Sequence, residues 1–276
     1  MSSIGKSTNT SKVVGVLGKS TPSRFYKFFL PCAQDVGSGS VLDLSGKSNN
    51  AIIESATSDA AVWAVAGAVT TTGAATGSGA GVNVPTSQSL SPMGFDLASG
   101  KSMLWSFQIK LPTNPTGSAL RALCGSLSGA SGGIVFYVGE ASAAYAGRCS
   151  VRIRNAGGSN NTYNNPTNAP LVNDGNFHNI VVWVNGSTKT LSLYVDGILS
   201  SYQSNQDISA VSSTVNVPNI PYGIGHYGDP STTGTTGTQS KNHHCMIFNS
   251  VPTNINDLIQ QVTINPSKLV EDWMVT

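Results

Sequence analysis

The sequence predicts an all-β protein in which two antiparallel sheets pack as a jelly-roll sandwich, with one short C-terminal helix. The strongest indication is the stretch 173–199, which alternates strand-like runs with turn residues. Over 191–195 the apolar residues Leu191, Leu193 and Val195 alternate with Ser192 and Tyr194. This is the two-residue period of a strand with one buried face. Asn185-Gly186 and Asp196-Gly197 follow two of these runs, and both pairs are typical of tight turns between antiparallel strands. The stretch therefore predicts an antiparallel meander.

Composition agrees with this fold and excludes several classes of partner. The chain has 276 residues, enough for one sandwich domain of roughly 200–250 residues. Only 10% of its residues are charged, compared with roughly 25% in an average soluble domain. A net charge of +2 offers no basic surface for nucleic acid, and no apolar run reaches the ~18 residues of a membrane span. We therefore predict neither a nucleic-acid partner nor membrane insertion.

The remaining elements follow from local residue patterns. Two polar stretches, 157–168 and 228–242, predict long loops, which often carry function. Small residues over 70–81 predict a loop or a weak strand, and 256–261 predicts the helix, with an Asn N-cap. Runs rich in β-branched and aromatic residues, bounded by turn residues, predict about a dozen strands. These strands are 51–54, 61–65, 81–84, 102–111, 119–126, 133–139, 148–154, 178–185, 190–195, 222–225 and 243–248.

The N-terminal residues 1–31 are predicted to be an arm or anchor, and 32–276 to be the sandwich domain. A basic and aromatic cluster near the end of the arm needs burial. It forms either a first strand of the sandwich or a segment that docks on a partner protein, and the sequence leaves both alternatives open. In the second alternative the anchoring residues are Arg24, Phe25, Tyr26, Phe28 and Phe29.

A set of motifs, in order over roughly 32–265, resembles the laminin-G-like domains of the concanavalin A-like class. The run 42–50 resembles the opening "D-x-SG-x-x-N" turn of that family. The run 174–178 is similar to its "DG-x-WHH" turn, with Phe177 in place of Trp, and 193–197 matches "LYVDG" residue for residue. Weaker similarities lie at 81–85, 103–112, 223–225, 247–249 and 258–259.

The resemblance implies a two-sheet jelly roll and a lectin-like role. Such domains recur in tailed-bacteriophage virions, and the low charge and the polar, glutamate-poor composition fit that setting. We expect a capsid decoration, head fibre or tail adhesin, made in the host cytoplasm because no apolar signal segment follows Met1–Lys6. The expected partners are capsid or tail proteins, further copies of the chain, and glycans. A carbohydrate-binding module or adhesin of a bacterial cell is the alternative.

Enzymatic chemistry is not expected. Retaining glycoside hydrolases need two carboxylates roughly 5–5.5 Å apart, whereas the only glutamates, Glu54, Glu140 and Glu271, are isolated. A glycan-cleaving enzyme is therefore the least favoured class. The four cysteines lack zinc-ligand spacing, and buried free thiols are favoured for Cys124 and Cys149.

No cofactor is predicted, and no metal ligand is assigned. Asp43, Asp174 and Asp196 stand at predicted turns, where capping of backbone N–H groups is favoured over calcium binding. Calcium is compatible with the resemblance. Glycan binding requires a stacking aromatic ring together with amide and carboxylate groups. The predicted loops and their flanks supply these groups as Asn161, Tyr163, Asn164, Tyr222, His226, Tyr227 and Asp229.

Overall fold

The computed structural model confirms the predicted fold class: its described strands form two antiparallel sheets, as in a β-sandwich. Among the described residues, no helix is long and apolar enough to cross a membrane. The structure describes residues 26–30, 40–41, 43, 50–54, 60–64, 68–72, 81–84, 100, 102–111, 113, 121–128, 132–139, 146–155, 159–163, 169–200, 205–211, 222–224, 240–248 and 255–264.

Seventeen strands and one helix are assigned within the described residues. In chain order they are β1 (Tyr26–Leu30), β2 (Ser40–Val41), β3 (Ala51–Glu54), β4 (Ala60–Ala64), β5 (Ala68–Thr72), β6 (Gly81–Val84), β7 (Met103–Lys110), β8 (Arg121–Ser128), β9 (Gly132–Val138), β10 (Cys149–Arg154), β11 (Asn160–Tyr163), β12 (Phe177–Asn185), β13 (Thr190–Val195), β14 (Ile198–Leu199), β15 (Gln206–Asp207), β16 (Tyr222–Ile224), β17 (Ser240–Phe248) and α1 (Ile255–Ile264).

The two sheets contain nine and eight of these strands. The first sheet has the order β14-β13-β12-β7-β17-β5-β4, and in addition β1 pairs with β17 and β15 with β13. The second has the order β11-β10-β9-β8-β16-β6-β3-β2. Neighbouring strands such as β7 and β12 pair antiparallel over their whole length. The central strands of each sheet come from different parts of the chain, so the fold depends on long-range pairing.

The core lies between the two sheets and is built from alternate residues of the central strands. Trp105 and Phe107 of β7 contact Phe136 of β9 across the interface, with ring centroids 5.7 and 5.3 Å apart. All three side chains are fully buried. Cys124 and Cys149 are buried there as free thiols, which confirms the prediction for these two cysteines.

Helix α1 packs on the outer face of the first sheet, against β12. Ile259 of α1 is buried. The amide nitrogen Nδ2 of Asn179 on β12 donates a hydrogen bond of 2.9 Å to the backbone oxygen of Thr263. Carbonyl groups in the last turn of a helix lack partners within the helix, so a sheet side chain satisfies one of them here. This contact fixes the C-terminal end of α1 beside the start of β12.

The turn between β12 and β13 differs from the predicted tight turn. It spans four residues, 186–189, rather than the two of an Asn-Gly hairpin. The side-chain oxygen of Asn185 accepts hydrogen bonds from the backbone N–H groups of Ser187 (3.0 Å) and Thr188 (3.3 Å). Lys189 closes the turn with φ of +52°. The Asn side chain, rather than the glycine, organises this turn.

Strands lie in the predicted loop 157–168 and in the stretch 70–81, which was predicted as a loop or a weak strand, and the predicted loop 228–242 overlaps the first residues of β17. β11 lies inside 157–168, and it pairs with β10 from Arg154↔Asn160 to Val151↔Tyr163. β5 overlaps 70–81 and pairs with β4 and β17. The strands β11 and β5 are short of large apolar residues, so their own patterns predict at most a weak strand. Backbone pairing with an existing neighbour determines them instead.

The strand register places many connections at one end of the sandwich, which we call the loop rim. Strands β7, β9, β11, β13 and β16 end there, whereas β8, β10, β12 and β17 begin there. The two sheets meet at this end: Val172, which precedes β12, donates a 2.8 Å hydrogen bond to the oxygen of Gly147, which precedes β10. Arg148 likewise donates to the oxygen of Ala169 at 3.0 Å. The end of β11, the segment 169–176, the end of β16 and the start of β17 therefore all lie at the loop rim.

Candidate binding site at the loop rim

At the loop rim a histidine is held between two aspartates. Nδ1 of His178 lies 2.7 Å from Oδ2 of Asp196, and Nε2 lies 2.9 Å from Oδ1 of Asp174. His178 is buried, whereas the two carboxylates are 40% and 44% exposed. We call these three residues the histidine clamp. It joins the turn before β12 to the turn after β13.

Local sequence explains why the clamp forms. Oδ1 of Asp174 accepts the backbone N–H of Asn176 at 2.8 Å, which closes a turn around Gly175 at φ +86°. Asp196 and Gly197 both have positive φ (+52° and +77°), as a tight hairpin between β13 and β14 requires. The register pairs Ile180 with Val195, so Asp196 comes opposite Asn179 and accepts its N–H at 2.8 Å.

The electrostatics of the clamp favour a charged imidazole. Burial acts to lower the pKa of His178, but hydrogen bonds to Asp174 and Asp196 and their negative charges outweigh it, so its pKa is raised. The same bond from His178, together with two from Asn176, lowers the pKa of Asp174 to about 2. A protonated imidazole donates from both nitrogens, as the two distances require. Among the described residues, no group of three or more His, Cys, Asp or Glu could hold a metal ion.

Phe177 lies next to the clamp but on the opposite face of β12. Adjacent strand residues point to opposite faces, so His178 is directed inward and Phe177 outward. The Phe177 side chain is 42% exposed, and the ammonium of Lys110, its register partner on β7, lies 5.8 Å from the ring centroid. Asn176 is exposed beside it, and its Nδ2 donates to Oδ2 of Asp174 at 3.1 Å. The rim thus carries an aromatic ring, an amide, a carboxylate and an ammonium.

The structure locates only some of the residues predicted to bind a glycan. Asn161 and Tyr163 lie on β11, opposite the core residues Ile153 and Val151, and so on the inward face of a strand rather than in a loop. Tyr163 packs against the core, and burial, followed by the charge of Asp207, raises its pKa to about 12. Within the described part of the chain, the buried Nδ2 of Asn161 has no hydrogen-bond partner.

The other predicted residues are more distant or not described. Tyr222 lies on β16, separated from β11 by β10, β9 and β8, about 19 Å at roughly 4.8 Å per strand. Asn164, His226, Tyr227 and Asp229 fall outside the described residues.

The structure likewise describes only some of the predicted anchoring residues. Tyr26, Phe28 and Phe29 lie on β1, which pairs with the end of β17. The segment 26–30 is therefore a strand of the first sheet in the structure, as in the first of the two alternatives. Arg24 and Phe25 lie outside the described residues.

The sequence patterns indicate no ligand-binding role for Phe177 and predict Asp174 and Asp196 as turn caps. Both carboxylates do cap backbone N–H groups, and each also binds His178. Two Asp-Gly pairs flanking one meander, with a histidine four residues after the first aspartate, were the available signal. Asp43 is buried, and its N–H donates to Oδ1 of Asn50 at 2.9 Å.

Comparisons with known proteins identify a fold but no family. No protein-family model matches the chain, and no curated protein matches it. The Trypanosoma rangeli sialidase in complex with sialic acid is similar in structure, with a TM-score of 0.58 and 12% identity over 95% of this chain and 38% of the sialidase. The binding domain of botulinum neurotoxin DC in complex with rat synaptotagmin II has a TM-score of 0.55 and 10% identity over 92% of this chain and 52% of that domain.

These similarities concern the fold alone, because the identities are so low. Both neighbours contain β-sandwich folds consistent with the predicted jelly-roll, lectin-like architecture. The chain spans only 38% of the length of the sialidase it matches. Membership of the laminin-G-like family and an origin in a virion stay predictions.

Proposed function

We propose that this chain is a non-enzymatic structural protein of a virion, a capsid decoration, head fibre or tail adhesin, and that its loop rim binds glycans. One observation carries the proposal: a turn with an exposed aromatic ring, an amide and a carboxylate lies at the rim where the described strands of both sheets end. Binding residues are concentrated on loops held by a rigid scaffold. Saccharides are recognised by aromatic faces together with a few polar groups.

The solved structures support a recognition role. The sialidase structure is a complex with sialic acid, and the toxin structure is a binding domain in complex with synaptotagmin II. Both contain a sandwich that this chain matches over more than nine-tenths of its length. The sandwich therefore occurs in proteins that recognise ligands, which supports the proposal for this chain.

The histidine clamp supports the non-enzymatic part of the proposal. A general base needs a free nitrogen or carboxylate within reach of the substrate. Both nitrogens of His178 are bound to carboxylates, and Asp174 accepts bonds from Asn176 as well. The two aspartates and His178 thus form ion pairs that hold the two turns together.

The proposal is tested on the purified full-length chain in two assays. Immuno-electron microscopy of phage particles asks whether antibody to this chain labels a capsid or tail, and a glycan array asks whether the chain binds saccharides, with and without EDTA. We expect labelled particles and binding to a defined set of glycans. A monomer that binds sugars but labels no particle would favour the bacterial adhesin, and hydrolysis of any array glycan would contradict the non-enzymatic role.

A further inference from the structure

We infer that the outer face of the second sheet binds an oxyanion, the carboxylate or sulfate group of an acidic polysaccharide, at Arg152 on β10. This inference rests on the proposed glycan binding and adds to it a second surface, separate from the turn that carries Phe177, and the chemistry of its ligand. The site consists of Tyr137 on β9, Arg152 on β10 and Thr162 on β11. We call these three residues the arginine platform.

Strand alternation places the three side chains of the arginine platform on the outer face. Each is flanked along its own strand by residues that face inward, namely Phe136 and Val138, Val151 and Ile153, and Asn161 and Tyr163. Thr162 is the direct register partner of Arg152. Tyr137 pairs with Ser150, two residues before Arg152, and is therefore its diagonal neighbour. Long side chains reach across both kinds of neighbour, so the three groups form one continuous surface.

Two contacts fix the guanidinium of Arg152. Its Cζ lies 5.2 Å from the ring centroid of Tyr137, which is a cation–π contact with a buried ring. Its Nε donates a hydrogen bond of 3.4 Å to Oγ1 of Thr162. Within the described part of the chain, the terminal nitrogens Nη1 and Nη2 of Arg152 make no hydrogen bond. The plane of the guanidinium is thus held by the protein, while the edge that carries Nη1 and Nη2 stays open to a ligand.

A guanidinium held in this way matches the geometry of an oxyanion. Its planar N–H groups bind two oxygens of one anionic group at once, and such charge-assisted bonds are the strong ones. Thr162 is exposed, and because its oxygen accepts the bond from Arg152, its hydroxyl proton can be donated to the same anion. Arg154 lies two residues further along the same face and adds a second positive charge.

The surrounding sheet carries little negative charge that could compete for the arginine. In the described strands of the second sheet, the only carboxylate belongs to Glu54 on β3. Strands β9, β8, β16 and β6 lie between β3 and β10. The strand spacing of roughly 4.8 Å places Glu54 about 24 Å from Arg152. The arginine platform is therefore a local positive surface in a chain that has few charges.

The composition of this face favours a polysaccharide over a protein partner. Among the described residues, the exposed large apolar side chains are those of Leu171, Phe177, Ile198 and Leu199. None of these residues lies on a strand of the second sheet. The centre of a protein–protein interface is apolar and aromatic, whereas Arg152 covers the one aromatic ring of the platform. Guanidinium and hydroxyl groups instead match the charged and hydroxyl groups of an acidic sugar.

The test measures, by isothermal titration calorimetry, the binding of oligosaccharides to the full-length chain. The ligands are uronate-bearing and sulfated oligosaccharides, and the same oligosaccharides after carboxyl reduction or desulfation. We expect the acidic forms to bind about tenfold or more tightly than their neutral counterparts, and the tighter of the two acidic classes identifies the anionic group.

Two variants test the residues of the arginine platform. Arg152→Lys should weaken binding of the acidic forms about tenfold, because lysine keeps the charge but lacks the planar fork. Thr162→Val should weaken it several-fold, since valine keeps the shape of the side chain but not the hydroxyl. Thr162 is exposed, so Thr162→Val should fold as the wild type does and gives a result that is independent of stability. Lys189→Gln, which removes an exposed positive charge from the 186–189 turn of the first sheet, is the control and should bind as the wild type does.

Three results would overturn the inference. Neutral forms that bind as tightly as the acidic forms, or acidic binding that neither Arg152→Lys nor Thr162→Val changes, would overturn it and leave the proposed glycan binding intact. Equal binding of a polyglutamate peptide would also overturn it, because an acidic protein segment would then be the better ligand. Binding of no oligosaccharide at all would overturn both proposals.

Discussion

The histidine clamp gives the sharpest stability prediction, through the substitution Asp196→Asn. Oδ2 of Asp196 binds Nδ1 of His178 at 2.7 Å, and Oδ1 accepts the N–H of Asn179 at 2.8 Å. Asparagine keeps one acceptor oxygen but removes the negative charge. Asp196 has φ of +52°, which asparagine tolerates well, so the substitution adds little backbone strain. The effect should therefore report the charged contact itself.

A magnitude follows from these two contacts. A hydrogen bond to a charged group contributes roughly 1.5–3 kcal/mol when well protected. The side chain of Asp196 is 44% exposed, so solvent screens part of that contribution. We expect Asp196→Asn to lower the free energy of unfolding by about 1–2 kcal/mol at pH 5.5. Urea denaturation followed by tryptophan fluorescence measures this loss.

The loss should depend on pH in a defined direction. The folded protein raises the pKa of His178 above its ordinary 6.5, so protonation stabilises the folded state. That stabilisation is fully present below pH 6.5 and is lost as the pH rises through the raised value. The difference between wild type and Asp196→Asn should therefore be largest at pH 5.5 and shrink in more alkaline solution.

Asp207→Asn is the control for this measurement. Oδ1 of Asp207 accepts the N–H of Ser209 at 2.8 Å, and the residue has no histidine partner among the described hydrogen bonds. Its effect should stay constant between pH 5.5 and the alkaline range. Equal stability of Asp196→Asn and wild type at pH 5.5, or a deficit that grows with rising pH, would refute the role assigned to the clamp.

Three further predictions concern acid stability, a glycine and a thiol. The pKa of Asp174 is lowered to about 2, so the stability it contributes is present above pH 3.8 and is lost as the pH falls towards 2. Asp174→Asn should therefore make stability depend less on pH in this range, measured by acid unfolding followed by circular dichroism. An unchanged pH dependence would contradict this. Gly147→Ala should lower stability by about 2 kcal/mol in thermal unfolding, because φ is +69° and a Cβ would collide with the amide of Asn173; a neutral effect would show that the turn can relax. Burial raises the pKa of the Cys149 thiol, so it should resist alkylation until urea unfolds the chain, and Cys149→Ser should destabilise by about 1–3 kcal/mol by burying a hydroxyl.

Much of the fold could be predicted from the sequence because its central strands carry a clear pattern. The predicted 190–195 and 81–84 coincide with β13 and β6. Prediction failed where a strand owes its existence to its neighbours. β11 consists of Asn160–Tyr163, whose polar residues predict a loop, yet its backbone pairs along β10. Strands of two residues, such as β14, are too short to carry any period.

The candidate site could be predicted less well, because register rather than composition decides it. Tyr163 has the chemistry of a stacking residue, but pairing with Val151 places it on the core side. Phe177 belongs to the motif 174–178, which the sequence indicates only as a turn. Only the alternation along β12, which buries His178 and exposes Phe177, distinguishes the two roles. A one-residue shift in register would exchange them.

The order of these two residues links structure to the proposed binding. His178 and Phe177 are adjacent, so the contact that fixes the imidazole also limits the freedom of the backbone that carries the aromatic ring. A ring already held in place loses little conformational entropy when a sugar stacks on it. Asp196 lies in the clamp and not beside the exposed ring, and Asp196→Asn should therefore weaken binding by loosening Phe177 and Asn176. That weakening should be smaller than the weakening caused by Phe177→Ala, which removes the stacking face itself.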